Sequence, residues 1–383
     1  MFNFKILSEV DPQKWNNDLT KSEYATFFQS IDYLASDPNN DYFHVFIYVV
    51  DNNGNVVGQL GLRIIRTVVM FSSHPSRLFL KIMSKITTRA IWLDGPIIHS
   101  NDKKIRIEVL KHILNAIDII AEKYDLVHVE GYSPAYDLLI DEEYKQEYKK
   151  NGYKVRDYVT FIMNMTKGID EIWNNLTKRL RQDVNRARRR NITVKQVENY
   201  DDLKQYLLLA QKWAETKGLE IVNPFQGIDK LWQNNNNKIE RFFLAYQNNK
   251  LISGLRVVFF NGIVQPNAVI SSYEESTSLG GTLLTWSTLE WAKIAGAKTY
   301  DFTGGKKEIS SNSEGEEKNG RNTLLYYKRK WGGEEFSQYN VLKARKKLTY
   351  KLYLMLFNSV RFYHNFKMKR YKKTNLVKKD IDE

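Results

Sequence analysis

The feature that most constrains this chain is an order of segments that occurs twice. Two β-rich runs closed by an Asn/Gly turn are followed by a helix with one apolar face, and then by a short strand. In the first half, Tyr42 to Val50 and Val56 to Ile65 flank Asp51-Asn52-Asn53-Gly54, the composition of a hairpin. Asp94-Gly95-Pro96 signals a turn inside Ala90 to Ile98. Lys104 to Lys123 then places apolar residues at 105, 109, 110, 113, 114, 117, 120 and 121, which predicts a helix buried along one side. Leu126 to Val129 reads as a short strand.

In the second half, Asp170 to Arg190 reads as one helix, very basic at its end, and Ile192 to Val197 as a strand. Asp201 to Thr216 is a helix that opens on acids, where the helix dipole favours them. Arg241 to Tyr246 and Leu251 to Phe260 flank Gln247-Asn248-Asn249-Lys250, a second hairpin. Ile263 to Ser271 is a strand, Ser278 to Ala295 a helix and Lys298 to Phe302 a strand. A Gly/Ser/Glu-rich loop over Thr303 to Asn322 leads to a helix at Thr323 to Lys330 and a last strand at Phe336 to Val341. Asn234 to Asn237 reads as a polar loop. The halves share an order of elements and no visible sequence identity.

With 383 residues, 42% apolar and 13% aromatic, the chain has material for two folded cores and is not a disordered polymer. We expect an α/β (α+β) protein with domains over 1–165 and 166–342 and a tail over 343–383. There is no cysteine, which removes disulfides, thiolate metal sites and a cysteine nucleophile. The six histidines are not spaced as metal ligands, so no metal site is expected. The N-terminal MFNFKILSEVDPQKW lacks the basic-then-apolar pattern of a signal peptide, and no apolar run approaches a membrane span. The expectation is a cytoplasmic protein, peripheral at the inner face of the membrane.

The net charge of +14 is uneven: residues from 343 onward carry +10 of it, with no acid between 343 and 379. Leu348, Leu352, Met355, Leu356, Ser359, Tyr363 and Phe366 recur there at helical spacing, with Lys347, Lys351, Arg361, Lys369 and Arg370 largely off that stripe or beyond it. A basic amphipathic helix with aromatic residues reads as interfacial. The alternatives are a stripe packed on the second domain with a solvated basic end, or contact of the same lysines with tRNA.

Four stretches, in order, carry a family resemblance: Phe27-Phe28-Gln29-Ser30 followed by Tyr33, Trp173 to Val194 (WNNLTKRLRQDVNRARRRNITV), Gly296 to Gly304 (GAKTYDFTG) and Leu324 to Gly333 (LLYYKRKWGG). They resemble motifs of the FemABX peptidyltransferases, the non-ribosomal aminoacyl transferases of cell-wall peptide bridges. The hairpin–helix–strand order is likewise similar to the GNAT acyltransferase fold. The resemblance implies two tandem GNAT-like domains. Three departures stand out. No heptad pair marks the coiled-coil arm of several members. Asn191 replaces a glycine, though it also tolerates a left-handed turn. Tyr33 and Leu34 stand where a tryptophan and a lysine are frequent.

Acyl transfer to an amine requires the amine to lose a proton, the substrates to be held together, and the oxyanion to be stabilised. Without cysteine, a Ser–His–Asp arrangement or a Gly-x-Ser-x-Gly elbow, direct attack on an activated donor fits better than an acyl-enzyme. The resemblance implies that Lys328 is the electrostatic group, with Tyr327 its aromatic neighbour; the other reading is a solvated cation within Lys328-Arg329-Lys330. Asp301 either moves a proton or orients Lys328, or simply caps the following loop. Arg179, Arg186 and Arg190 share one face of a basic helix that would bind phosphate, or is merely solvated. Gly280 and Gly281 open a helix that would cradle a donor phosphate, or only let the chain turn. The early motif adds Gln29 to the substrate-binding residues.

The expected activity is transfer of an amino acid from aminoacyl-tRNA to an amine of a peptidoglycan or related cell-wall precursor, lipid-linked in some family members, with no bound cofactor. The alternatives are an acyl-CoA-dependent N-acyltransferase acting on a cell-surface polysaccharide or sugar precursor, and a non-catalytic RNA- or membrane-binding protein.

Overall fold

The structure, a computed structural model, describes residues 2–34, 42–66, 83–135, 137, 141–216, 221, 223–267, 269–271, 279–306, 323–359 and 362. The chain divides into two compact units that interleave in sequence. The first takes in Met1–Thr160, Gly304–Glu316 and Glu335–Leu354, and the second Phe161–Thr303, Glu317–Glu334 and Met355–Glu383.

The first unit opens with β1 (Asn3–Leu7), α1 (Pro12–Leu19) and α2 (Ile31–Leu34). The hairpin of β2 (Tyr42–Val50) and β3 (Val56–Ile65) follows, then β4 (Arg89–Trp92), the short β5 (Ile97–Ile98), α3 (Lys103–Lys123), β6 (His128–Tyr132) and α4 (Glu142–Lys150). Strands β1, β2, β3 and β4 pair antiparallel in that order, and β4 pairs parallel with β6. The predicted hairpin runs from Tyr42 opposite Ile65 to Val50 opposite Val56, and Gly54, at φ +81°, supplies its left-handed turn residue. Helix α3 starts where the Asp102 carboxylate accepts the Ile105 amide at 3.0 Å. Its Val109, Leu110, Ile113, Leu114, Ile117 and Ile120 pack on Val45, Ile47, Leu60 and Leu62 of the sheet. Each such side chain, fully buried, contributes about 1.5–3 kcal/mol.

Strand β7 (Lys154–Asn164) carries the chain out of the first unit. The second unit contains α5 (Ile169–Asn175), α6 (Lys178–Arg189), β8 (Ile192–Gln196), α7 (Tyr200–Thr216), α8 (Ile228–Asn236) and the hairpin of β9 (Glu240–Gln247) and β10 (Lys250–Phe260). After it come β11 (Ile263–Pro266), β12 (Ile270–Ser271), α9 (Gly280–Ile294), β13 (Thr299–Lys306) and α10 (Thr323–Arg329). Here β8, β9, β10 and β11 pair antiparallel and β11 pairs parallel with β13. The order of the first unit, three antiparallel pairings and then a parallel one, is therefore repeated.

Strand β14 (Glu334–Ala344) does not extend the second unit's sheet alone, as contiguous domains over 166–342 would require. It pairs antiparallel with β6, from Asn340 opposite Tyr132 to Ala344 opposite His128, so residues 335–354 complete the first unit. Beyond it residues 347–359 form a last helix, α11. Tyr350 and Tyr353 set one side of α11 against the His128 ring, at centroid distances of 4.9 and 4.7 Å.

Three sequence expectations change locally. The helix expected over Asp170 to Arg190 is two helices, because Leu176 is extended and Thr177 caps α6, its hydroxyl accepting the Leu180 amide at 3.3 Å. The strand expected over Ile263 to Ser271 ends at Pro266 and resumes as β12 opposite Ser253 and Gly254. Asn234 and Asn235 are not a polar loop: both are buried at the end of α8. Asn234 Nδ2 donates to Glu240 Oε1 at 3.0 Å, and Asn235 Nδ2 to the Val197 carbonyl at 3.4 Å. The Gly/Ser/Glu-rich loop lies, beyond Lys306, outside the described residues.

Candidate active site

The second unit gathers most of the predicted site residues around α9, α10 and β13. Lys328, on α10, is buried, with 8% of its surface exposed. Its Nζ donates to the Thr303 carbonyl at 2.9 Å and to the Thr303 hydroxyl at 2.8 Å. It is therefore not a solvated cation. Burial disfavours its charge and pushes its pKa down to about 8, while the nearby Asp301 carboxylate works the other way.

Asp301 is buried in β13. Its Oδ1 accepts the Thr303 amide at 2.8 Å and its Oδ2 accepts Gln265 Nε2 at 3.0 Å. Thr303 stands at φ +60°, a conformation that β-branched residues rarely adopt. The two contacts explain how it is held: Asp301 grips its amide while Lys328 grips its carbonyl and hydroxyl. Asp301 and Lys328 thus meet at one residue, Thr303. One residue on, Gly304 leaves no room for a side chain, since a Cβ there would lie 2.0 Å from the Val159 carbonyl oxygen.

Tyr327 joins α10 to the start of α9. Its hydroxyl lies 3.4 Å from the Thr285 hydroxyl, which donates to the Gly281 carbonyl at 2.9 Å. Burial raises the Tyr327 pKa, so the phenol stays protonated at neutral pH. Its ring meets Trp331 edge-on at 6.1 Å, and Trp331 in turn stacks on Phe302 at 6.0 Å. Gly280 and Gly281 begin α9 without a side-chain cap, and a Cβ at Gly281 would come within 3.0 Å of Val269 Cγ1. Close packing thus suffices to account for Gly281.

Helix α6 buries Leu180, Val184 and Ala187 and exposes Arg179, Arg186 and Arg190. Arg186 pairs with Asp183 on its own helix, and Arg190 caps the helix C-terminus. A connection to α9 that the sequence did not suggest runs through Arg188. It bonds Glu290 Oε1 at 3.3 Å and lies over the Trp173 ring at 6.0 Å. Trp173 meets Trp286 at 4.7 Å, and Trp286 Nε1 donates to Glu290 at 2.6 Å. Only the motif tryptophan at 173 was a signal for this cluster; its partners on α9 are set by the fold.

Gln29 belongs to the first unit and is wholly buried. Its Oε1 accepts the Gly61 amide at 2.8 Å, its Nε2 donates to the Leu93 carbonyl at 2.7 Å, and its own carbonyl accepts Trp15 Nε1 at 2.8 Å. Both ends of the amide are engaged by backbone, so Gln29 ties β3 to the loop after β4.

No family profile matches the sequence, and no relative is found among curated proteins. Solved structures do match. FemX superposes with a TM-score of 0.66 over 91% of this chain and 99% of its own, at 15% identity. This is the fold of FemX. Two further structures agree with the FemX match. A tandem GNAT protein from the clavulanic acid biosynthesis pathway gives a TM-score of 0.51 at 11% identity, covering 89% of this chain and 98% of its own. L-PGS from Bacillus licheniformis gives 0.50 at 14%, covering 92% and 96%. The repeated sheet order described above is thus that of two GNAT-like domains in tandem.

Proposed function

We propose that this chain is an aminoacyltransferase. It moves an activated amino acid from aminoacyl-tRNA to an amine of a peptidoglycan or related cell-wall precursor, in the cytoplasm and peripherally at the inner face of the membrane. The observation that carries this reading is the buried Lys328 ammonium, already bonded to a carbonyl and a hydroxyl oxygen at one residue. A desolvated ammonium so placed holds a developing oxyanion far better than one in water. The likeness of the fold to FemX and L-PGS supports the class of reaction.

The acceptor amine attacks the ester carbonyl of the donor, so that the C–N bond forms as the C–O bond to the ribose breaks. The proton lost by the amine ends on the leaving hydroxyl. No acyl-enzyme is needed, and the chain has no cysteine to form one. Asp301 orients Lys328 through Thr303, Tyr327 flanks it, and the exposed cations of α6 attract the donor's phosphates.

A second reading, an acyl-CoA-dependent N-acyltransferase acting on a surface polysaccharide or sugar precursor, is favoured by one observation. The uncapped Gly280-Gly281 start of α9 lies in hydrogen-bonded continuity with Tyr327 through Thr285. Incubating the protein with radiolabelled aminoacyl-tRNA or with labelled acetyl-CoA separates the two. Acceptor-dependent loss of label from tRNA supports the first, and turnover of the thioester alone overturns it.

A further inference from the structure

Large exposed apolar residues are unevenly distributed. Of the twelve among the described residues, seven fall between Leu348 and Phe362. Scattered single residues of this kind are ordinary on a protein surface, whereas a contiguous set marks a contact. Helical geometry sorts the set. Leu348, Leu352 and Met355 recur at spacings of four and three and so lie along one line of α11, with exposures of 78%, 51% and 66%. Tyr350 and Tyr353 lie on the opposite side, where they rest on His128, and Arg89 reaches over the Tyr353 ring at 5.7 Å. The helix is thus moored through Tyr350 and Tyr353, and its most exposed apolar residues lie on the far side; Leu354, Leu356 and Phe357, off that line, are less exposed at 38%, 38% and 40%.

Charge identifies what would cover that stripe. Lys343, Arg345 and Lys346, before the helix, are engaged by Asp118 and Asp125. Lys347 and Lys351 are exposed and border the stripe along one edge. No acid occurs from 343 to 379, and eight more cations follow Lys351 in that span. A protein partner would have to supply an apolar groove edged by acids. An anionic bilayer supplies both the hydrocarbon and the negative headgroups without further shaping. Among the described residues no helix is long and apolar enough to cross a membrane, so the contact is with the surface.

We infer that α11 docks lengthwise on an anionic lipid surface, with Leu348, Leu352 and Met355 in the interface and Lys347 and Lys351 against the headgroups. The inference does not depend on the donor or acceptor of the proposed reaction. It is tested with the full chain in co-sedimentation with phosphatidylglycerol-containing and pure phosphatidylcholine vesicles. The variants are Leu352→Glu/Met355→Glu and Lys347→Glu/Lys351→Glu, with unchanged melting temperature as the control for folding. The expected result is recovery of the parent with anionic vesicles, a loss of at least about tenfold in partitioning for either variant, and weak recovery with neutral vesicles. Equal recovery of parent and apolar variant overturns it. So does RNA binding that depends on the lysines and not on the apolar pair, with no vesicle binding by the parent. A parent that is dimeric in sedimentation, turns monomeric in the apolar variant and ignores vesicles would assign the stripe to a second copy, and also overturns it.

Discussion

Lys328 holds Thr303 by two oxygens at once, the carbonyl at 2.9 Å and the hydroxyl at 2.8 Å. An apolar side chain in its place loses both contacts and the positive charge. Lys328→Ala is expected to lower turnover by about 10²-fold or more, while circular dichroism shows a folded protein. Turnover close to the parent's would remove Lys328 from the chemistry.

Because burial lowers the Lys328 pKa from 10.5 to about 8, the lysine also links stability to pH. Between those values the unfolded chain keeps the proton that the folded chain has released. Stability from this group therefore rises with pH from about 8 to 10.5 and is least where the lysine is charged in both states. Urea unfolding of the parent and Lys328→Met across that window should show the parent gaining on the variant as pH rises. A constant difference would contradict the burial. If the ammonium is the working form, kcat/KM should fall over the same approach to pH 8 and above.

Reversing charge at Arg179, Arg186 and Arg190 together is expected to raise KM for the tRNA donor. The effect should shrink as salt rises, since exposed cations act through screened fields. Michaelis constants that match the parent's at both low and moderate salt would leave α6 as a merely solvated helix.

Asn234 is buried and donates to Glu240, whose other carboxylate oxygen forms an ion pair with Arg256 Nε at 2.7 Å. Asn234→Leu leaves that carboxylate short of a donor and should cost about 1–3 kcal/mol, read as a lower urea midpoint with unchanged slope. A shift within about 0.5 kcal/mol, the range of ordinary surface substitutions, would show that the contact does not matter.

Gly304→Ala forces a Cβ against the Val159 carbonyl, whereas Gly168 has nothing within 4 Å of the added carbon. The first substitution should destabilise markedly, and the second should leave the melting temperature near the parent's.

The parts of the fold that were legible in the sequence are those fixed by local chemistry. Asn248 and Asn249 adopt φ of +49° and +62°, the left-handed pair that a two-residue hairpin turn needs, and the apolar spacing of α3 matches its buried side except at Ile105, which is exposed. Asn234 was misread because its amide is satisfied by Glu240, a partner that composition does not reveal. The partner of β14 was hidden because pairing is not written in a strand's own residues. At the site, Lys328 and Asp301 stood out by motif. Their meeting point did not, since a threonine is a poor local choice for a left-handed residue and is held there by Asp301, two residues before it, together with Lys328 from α10.

The pairing of β14 with β6 also sets an order of events during synthesis. The partner that covers one edge of β6 is translated only after every strand of the second unit has been made. Until then that edge of the first unit is open to any extended segment that can hydrogen-bond to it. Ribosome-bound chains halted before residue 334 should therefore be the species most prone to aggregation or capture by a chaperone. Release of β14, rather than completion of either hairpin, would mark the moment at which the first unit becomes resistant to protease.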